Sequence, residues 1–103
     1  MRKAEIFFDG ELAGYLTEIN EKQFVFEYIE AYSGNSISLT MAVSKRRFEF
    51  EDFPSFFDGL LPEGVQLDGL LRQNKIDRND NFSQLLAVGG DLVGAITVKA
   101  VQI

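Results

Sequence analysis

Phe53-Pro54-Ser55-Phe56-Phe57-Asp58-Gly59-Leu60-Leu61-Pro62-Glu63-Gly64 is the stretch on which the reading of this chain turns. Pro54 suits a first helical position, where a missing N–H costs nothing. Phe53, Phe56, Phe57, Leu60 and Leu61 then recur at spacings of three and four, the pattern of one helical face. Pro62 ends that helix, and acidic residues sit at the break. Five large apolar side chains on about two turns exceed what one buried face normally uses. Phe53 and Phe56 are therefore expected in the core, with exposure among Phe57, Leu60 and Leu61. Contiguous apolar exposure marks an interaction site. Leu61-Pro62-Glu63-Gly64 reads as a rigid, projecting connection suited to insertion in a partner's cleft, and Val65 and Gln66 extend it. The candidate partner-binding set is Phe57, Asp58, Leu60, Leu61, Pro62, Glu63, Val65 and Gln66.

Upstream of this stretch the chain reads as antiparallel strands. Lys3 to Phe8 alternates, Asp9-Gly10 supplies the positive-φ residues of a tight hairpin turn, and Glu11 to Ile19 returns. Gly14, in the middle of that second strand, marks a bend or a close backbone approach. After the turn Asn20-Glu21-Lys22, Gln23 to Tyr28 puts Phe24, Phe26 and Tyr28 on one face. Ser36 to Met41 alternates most cleanly, with Ile37, Leu39 and Met41 inward, and Arg47 to Phe50 reads as a short edge strand. Downstream, Leu67, Leu70 and Leu71 form the stripe of a second helix ending near Asn74. Asp80 or Asn81 caps a third helix carrying Phe82, Leu85 and Leu86, stopped by Gly89-Gly90. A last strand, Leu92 to Val101, must return to the sheet to pair its ladder. The expected fold is α+β: one domain over residues 1–103, with a curved antiparallel, barrel-like sheet closed by two or three short helices.

Composition removes several function classes. The 103 residues include no Cys and no His, which excludes disulfides, thiolate chemistry and the usual general base and metal ligand. The formal net charge of −6 disfavours direct nucleic-acid binding, which depends on basic patches, and suits a basic protein surface instead. The only basic cluster, Lys45-Arg46-Arg47, is followed at once by Glu49, Glu51 and Asp52. The start Met1-Arg2-Lys3-Ala4-Glu5 has no secretory apolar stretch, and no apolar run approaches a membrane span, so a cytoplasmic location is expected.

No catalytic constellation emerges. Gly90-Asp91-Leu92-Val93-Gly94 lacks the Lys-Ser/Thr of a phosphate loop. Phe57-Asp58-Gly59 holds the letters of the kinase metal motif in the wrong order. Asp77 to Asn81 opens like a calcium loop, but Phe82 stands where Gly is required and Val88 where the bidentate Glu belongs. No catalytic, cofactor-binding or metal-binding residue is assigned, and the chain is expected not to be an enzyme.

Three segments together carry a resemblance. Phe56-Phe57-Asp58-Gly59-Leu60-Leu61-Pro62-Glu63-Gly64, then Asp80-Asn81-Phe82-Ser83-Gln84-Leu85-Leu86, then Gly89-Gly90-Asp91-Leu92-Val93-Gly94-Ala95 follow in the order seen in the N-terminal subdomain of HipA-type toxin kinases. The chain resembles that subdomain from about Ala4 to Val98 and ends where a kinase core would begin. Free-standing versions are similar to HipS of three-component HipBST toxin–antitoxin systems. The resemblance implies an antitoxin-like protein that docks on and inhibits a HipT-like Ser/Thr protein kinase, while a HipB-like DNA-binding protein handles the operator. The alternative it leaves open is a scaffolding or activating subunit, or an N-terminal fragment, of a HipA-type kinase. Val65 follows Leu-Pro-Glu-Gly, and the chain has no Trp, so a contact built on a large aromatic in that loop must differ here.

Overall fold

A computed structural model of the chain describes residues 1–92 and 94–101. Strands β1 (Arg2–Phe8), β2 (Glu11–Asn20), β3 (Gln23–Tyr28) and β4 (Arg47–Phe50) run as an antiparallel meander, followed by helices α1 (Ser55–Asp58), α2 (Gly64–Asn74) and α3 (Asn81–Val88). Strand β5 (Ile96–Ala100) closes the chain and pairs antiparallel with β1, giving the order β4-β3-β2-β1-β5.

The local chemistry explains the meander. Asp9 and Gly10 take φ of 50° and 83°, the pair of left-handed residues that a two-residue hairpin turn requires. In the second turn, the Lys22 N–H donates to Asn20 Oδ1 at 2.9 Å. Gly14 lies opposite Tyr28 in the β2–β3 ladder, where an added Cβ would collide with the Glu27 carbonyl oxygen and stand 2.9 Å from Tyr28 Cα. The close approach expected there is real.

One face of the sheet is buried, as period-two alternation allows, and the other mixes exposed Lys3, Glu27 and Lys99 with half-buried Phe7 and Tyr15 and buried Val25. Ala4, Ile6, Leu16, Phe24, Phe26, Tyr28, Ile96 and Val98 form the buried side, completed by Phe57, Phe82 and Leu85 from the helices. Aromatic pairs fill this core: Phe26 meets Tyr28 edge-on at 4.9 Å, and Tyr28 stacks on Tyr32 at 5.7 Å.

Three expectations are corrected. The sheet does not close into a barrel: β4 and β5 are its two edges, and helices with the loop bearing Tyr32, Ile37 and Met41 fill the space between them. Ser36 to Met41 is not a strand; a single Ser38–Met41 bridge remains. Ser38 Oγ accepts from the Thr40 N–H at 3.2 Å, a local bond that competes with sheet pairing. The buried Tyr28 hydroxyl accepts from the Ile37 N–H and donates to the Met41 carbonyl. Ile37 and Met41 therefore point inward as expected, but Leu39 stands fully exposed at the tip. The last strand is also shorter than expected, and Val93, assigned to it from sequence, lies outside the described residues.

Arg46 holds this long loop closed. With φ of 73°, it donates through Nη1 to the carbonyls of Tyr32 (3.0 Å) and Val43 (3.3 Å) and through Nη2 to those of Ile29 (2.8 Å) and Glu30 (2.9 Å). Hydrogen bonds from a charged donor contribute about 1.5–3 kcal/mol, so Arg46→Ala is expected to cost about 2–3 kcal/mol. Thermal melts give that loss, and faster amide exchange at Ile37 and Val43 assigns it to the loop.

Candidate docking surface

Helix α1 is a single turn. Pro54 precedes it rather than opening it, and Asp58 and Gly59 donate to the carbonyls of Pro54 and Ser55, each at 3.0 Å. Tighter bonds follow, from Leu60 to Phe57 and Leu61 to Asp58, both 3.1 Å, before Pro62 removes the next donor. Glu63 is extended, and Gly64 takes φ of 59° as α2 begins. The chain therefore projects as a knuckle between two helices.

The eight candidate residues do not share one fate. Phe57 is 0% exposed and packs its ring 6.0 Å from Phe26 and 5.1 Å from Phe56. It is core, which corrects its assignment to the partner face. The cause is the shortness of α1: on one turn only one side chain faces directly inward, and it is Phe57. Phe53 and Phe56, expected inside, are only half-buried. Leu60, Leu61 and Pro62 are half-buried, with both leucines resting against the core, while Asp58, Glu63, Val65 and Gln66 are exposed. Val65, at 88% exposure, is one of three large apolar residues among those described that stand in water, with Met1 and Leu39.

Helix α2 carries the leucine stripe read from the sequence and ends at Asn74. None of its residues is buried; Leu67, Leu70 and Leu71 are half-covered, and the helix lies beside α3. The sequence reading of the surface stops at Gln66, whereas the exposed face continues along α2. Exposed acidic groups Asp58, Glu63 and Asp68 flank the apolar knuckle, with Asp68 engaged by Arg78. Among the described residues, no group of His, Cys, Asp or Glu side chains is placed to hold a metal, and no helix is long and apolar enough to cross a membrane.

An open concavity of about 1120 Å³ adjoins the knuckle at Asp58, lined also by Arg2, Glu18, Phe53, Asp80 and Phe82. Arg2, Glu18 and Asp80 in its wall already satisfy one another. Arg2 donates to both oxygens of Glu18 (2.7 and 2.8 Å), to Asp80 Oδ1 (2.8 Å) and to Ser83 Oγ (2.7 Å), and lies over the Phe82 ring. Asp80 accepts from the Ser83 N–H at 3.1 Å, the cap that starts α3. Burial works against ionisation of Asp80, but hydrogen bonds from Arg2 and Ser83 outweigh it and hold the carboxyl below the usual carboxylate range. A lowered folded-state pKa contributes stability that is present above the unfolded value, about 3.9, and is lost as pH falls through the folded value. Stability is therefore expected to drop on acidification below about pH 4. Arg2→Met should be less stable at pH 7 and lose less on acidification, which melts across pH 2–7 check.

Residues 4–99 match the family described as HipA N-terminal domain. This chain belongs to that family. It is 29% identical over 99 residues to an uncharacterized protein of Haemophilus influenzae, covering 96% of this chain and 92% of that one. It is also 29% identical over 100 residues to the putative kinase Y4mE of Sinorhizobium fredii, covering 93% of this chain but about a quarter of that protein (24%). Among solved structures, the N-terminal domain of HipA toxin superposes with a TM-score of 0.78 at 27% identity, covering 99% of this chain and 94% of that one.

Proposed function

We propose that this HipA N-terminal domain binds a HipA-family Ser/Thr kinase in trans through Leu60, Leu61, Pro62, Glu63, Val65 and Gln66, and thereby restrains it. Its role is that of the small antitoxin-like component of a three-part toxin–antitoxin system, beside a HipT-like kinase and a HipB-like DNA-binding protein, in the cytoplasm. It performs no catalysis itself. The observation that carries this reading is a knuckle of half-buried Leu60, Leu61 and Pro62 that leads through exposed Val65 into a helix without buried residues, in a chain of this family. Phosphoryl transfer depends almost entirely on positioning, so a wedge that displaces the nucleotide-covering loop suffices to stop it.

A second reading has its own support. In Y4mE the matching region forms part of a longer chain named a putative kinase, which favours a domain that completes and stabilises such a kinase. Phosphorylation assays on a purified HipA-family kinase that lacks this domain, with and without added protein, decide between them. Inhibition predicts a fall in phosphate transfer on titration, completion predicts a rise, and no change with no co-purification contradicts both.

A further inference from the structure

Helix α3 is shorter than α2 yet better held. Its eight residues bury Phe82, Gln84 and Leu85, whereas none of the eleven residues of α2 is buried. Among the described residues, the half-buried apolar side chains that rest on the core include Leu60, Leu61 and Leu86, but none from α2. An isolated helix of fewer than about 12 residues is marginal in water and draws its stability from tertiary packing. Local chemistry adds little to α2. Gly64 and Gly69 stand at its first and sixth positions, and Glu63 makes no side-chain cap. Lys75 closes the helix with φ of 54°, a left-handed conformation that suits glycine. The favourable contacts are modest: Asn74 Nδ2 donates to the Leu70 carbonyl at 3.1 Å, and Asp68 pairs with Arg78, both exposed.

The chain is pinned on either side of this helix. Upstream, Leu60 and Leu61 rest against the core. Downstream, the buried Gln84 side chain donates to the carbonyls of Asp77 (3.4 Å) and Arg78 (2.9 Å), and Asp80 caps α3. Neither anchor needs α2. We propose that residues 62–76, with α2 at their centre, form a detachable arm that unfolds and refolds as a unit while the sheet, α1 and α3 stay folded. Opening takes no buried side chain out of the core, and it releases the half-covered Leu67, Leu70 and Leu71 together. The anchors hold the ends of the open arm, and closing such a loop costs little more as it lengthens. The arm opens in the free chain, so it stands apart from the docking reading above. A partner that grips this segment has to order it, and its affinity then responds to substitutions in α2 that change only helix propensity.

Native-state hydrogen exchange and melts of the intact chain test this. Protection at the amides of Asp68 to Lys75 should lie at least about tenfold below that of the central strands β1 and β2, because the arm opens without the core. A smaller difference overturns the proposal. Gly69→Pro then separates an arm from an integral helix, since it removes an N–H in mid-helix and crowds the preceding turn. In an integral helix the full penalty would lower Tm by about 8 °C or more. In a detachable arm the loss stops at the arm's own cost of opening. Tm should therefore fall by less than about 4 °C, with part of the helical far-UV signal gone and the near-UV signal of the buried tyrosines intact. A larger fall, or loss of that near-UV signal, overturns the proposal.

Discussion

Phe57→Ala is expected to lose about 3–5 kcal/mol of stability, the cost of emptying a fully buried aromatic site. For a domain of this size that lowers Tm by at least about 12 °C and removes a large part of a total stability of about 5–15 kcal/mol. The site gives little room for relaxation. Phe57 has no solvent exposure, and its neighbours Phe26 and Phe56 are pinned by the sheet and by the single turn of α1. Circular-dichroism melts measure the loss. Any fall in kinase binding by this variant should follow the folded fraction, because the ring is not part of the surface.

Val65→Asp is expected to do the reverse. At 88% exposure, a substitution at position 65 leaves stability within about 0.5 kcal/mol. In a complex formed through the knuckle, the new carboxylate would be buried without a partner, a penalty of about 3–5 kcal/mol. Affinity for the kinase should therefore fall by at least about 100-fold, read by calorimetric titration, with Tm unchanged. Asp58 and Glu63 at the rim add like-charge repulsion in the same direction.

The contrast between these two residues shows what the sequence can tell. The hairpin at Asp9-Gly10, the close approach at Gly14 and the Asp80 cap were all legible, because each depends on a local conformational or hydrogen-bonding demand. The Ser36 to Met41 alternation was misleading: hydroxyl bonds within Ser38–Thr40 and the reach of the Tyr28 hydroxyl keep it a loop. Neither is visible as periodicity. Whether the sheet closes depends on how far β4 lies from β5, a long-range property that no local pattern encodes. For the surface, the knuckle itself was readable as a surplus of apolar residues. Which of them faces water was not, since that turns on α1 being one turn rather than two. The openness of α2 was hidden for the opposite reason: Leu67, Leu70 and Leu71 have the spacing of a core stripe, yet the domain supplies too little surface to cover them.

Amide hydrogen exchange of the chain, free and mixed with a purified HipA-family kinase that lacks this domain, tests the central claim most directly. The account predicts slowed exchange concentrated at Leu60, Leu61 and Glu63 to Gln73, with the outer face of β1, β2 and β3 unchanged. Complex formation with protection confined to that sheet face, and none along the knuckle or α2, would contradict it.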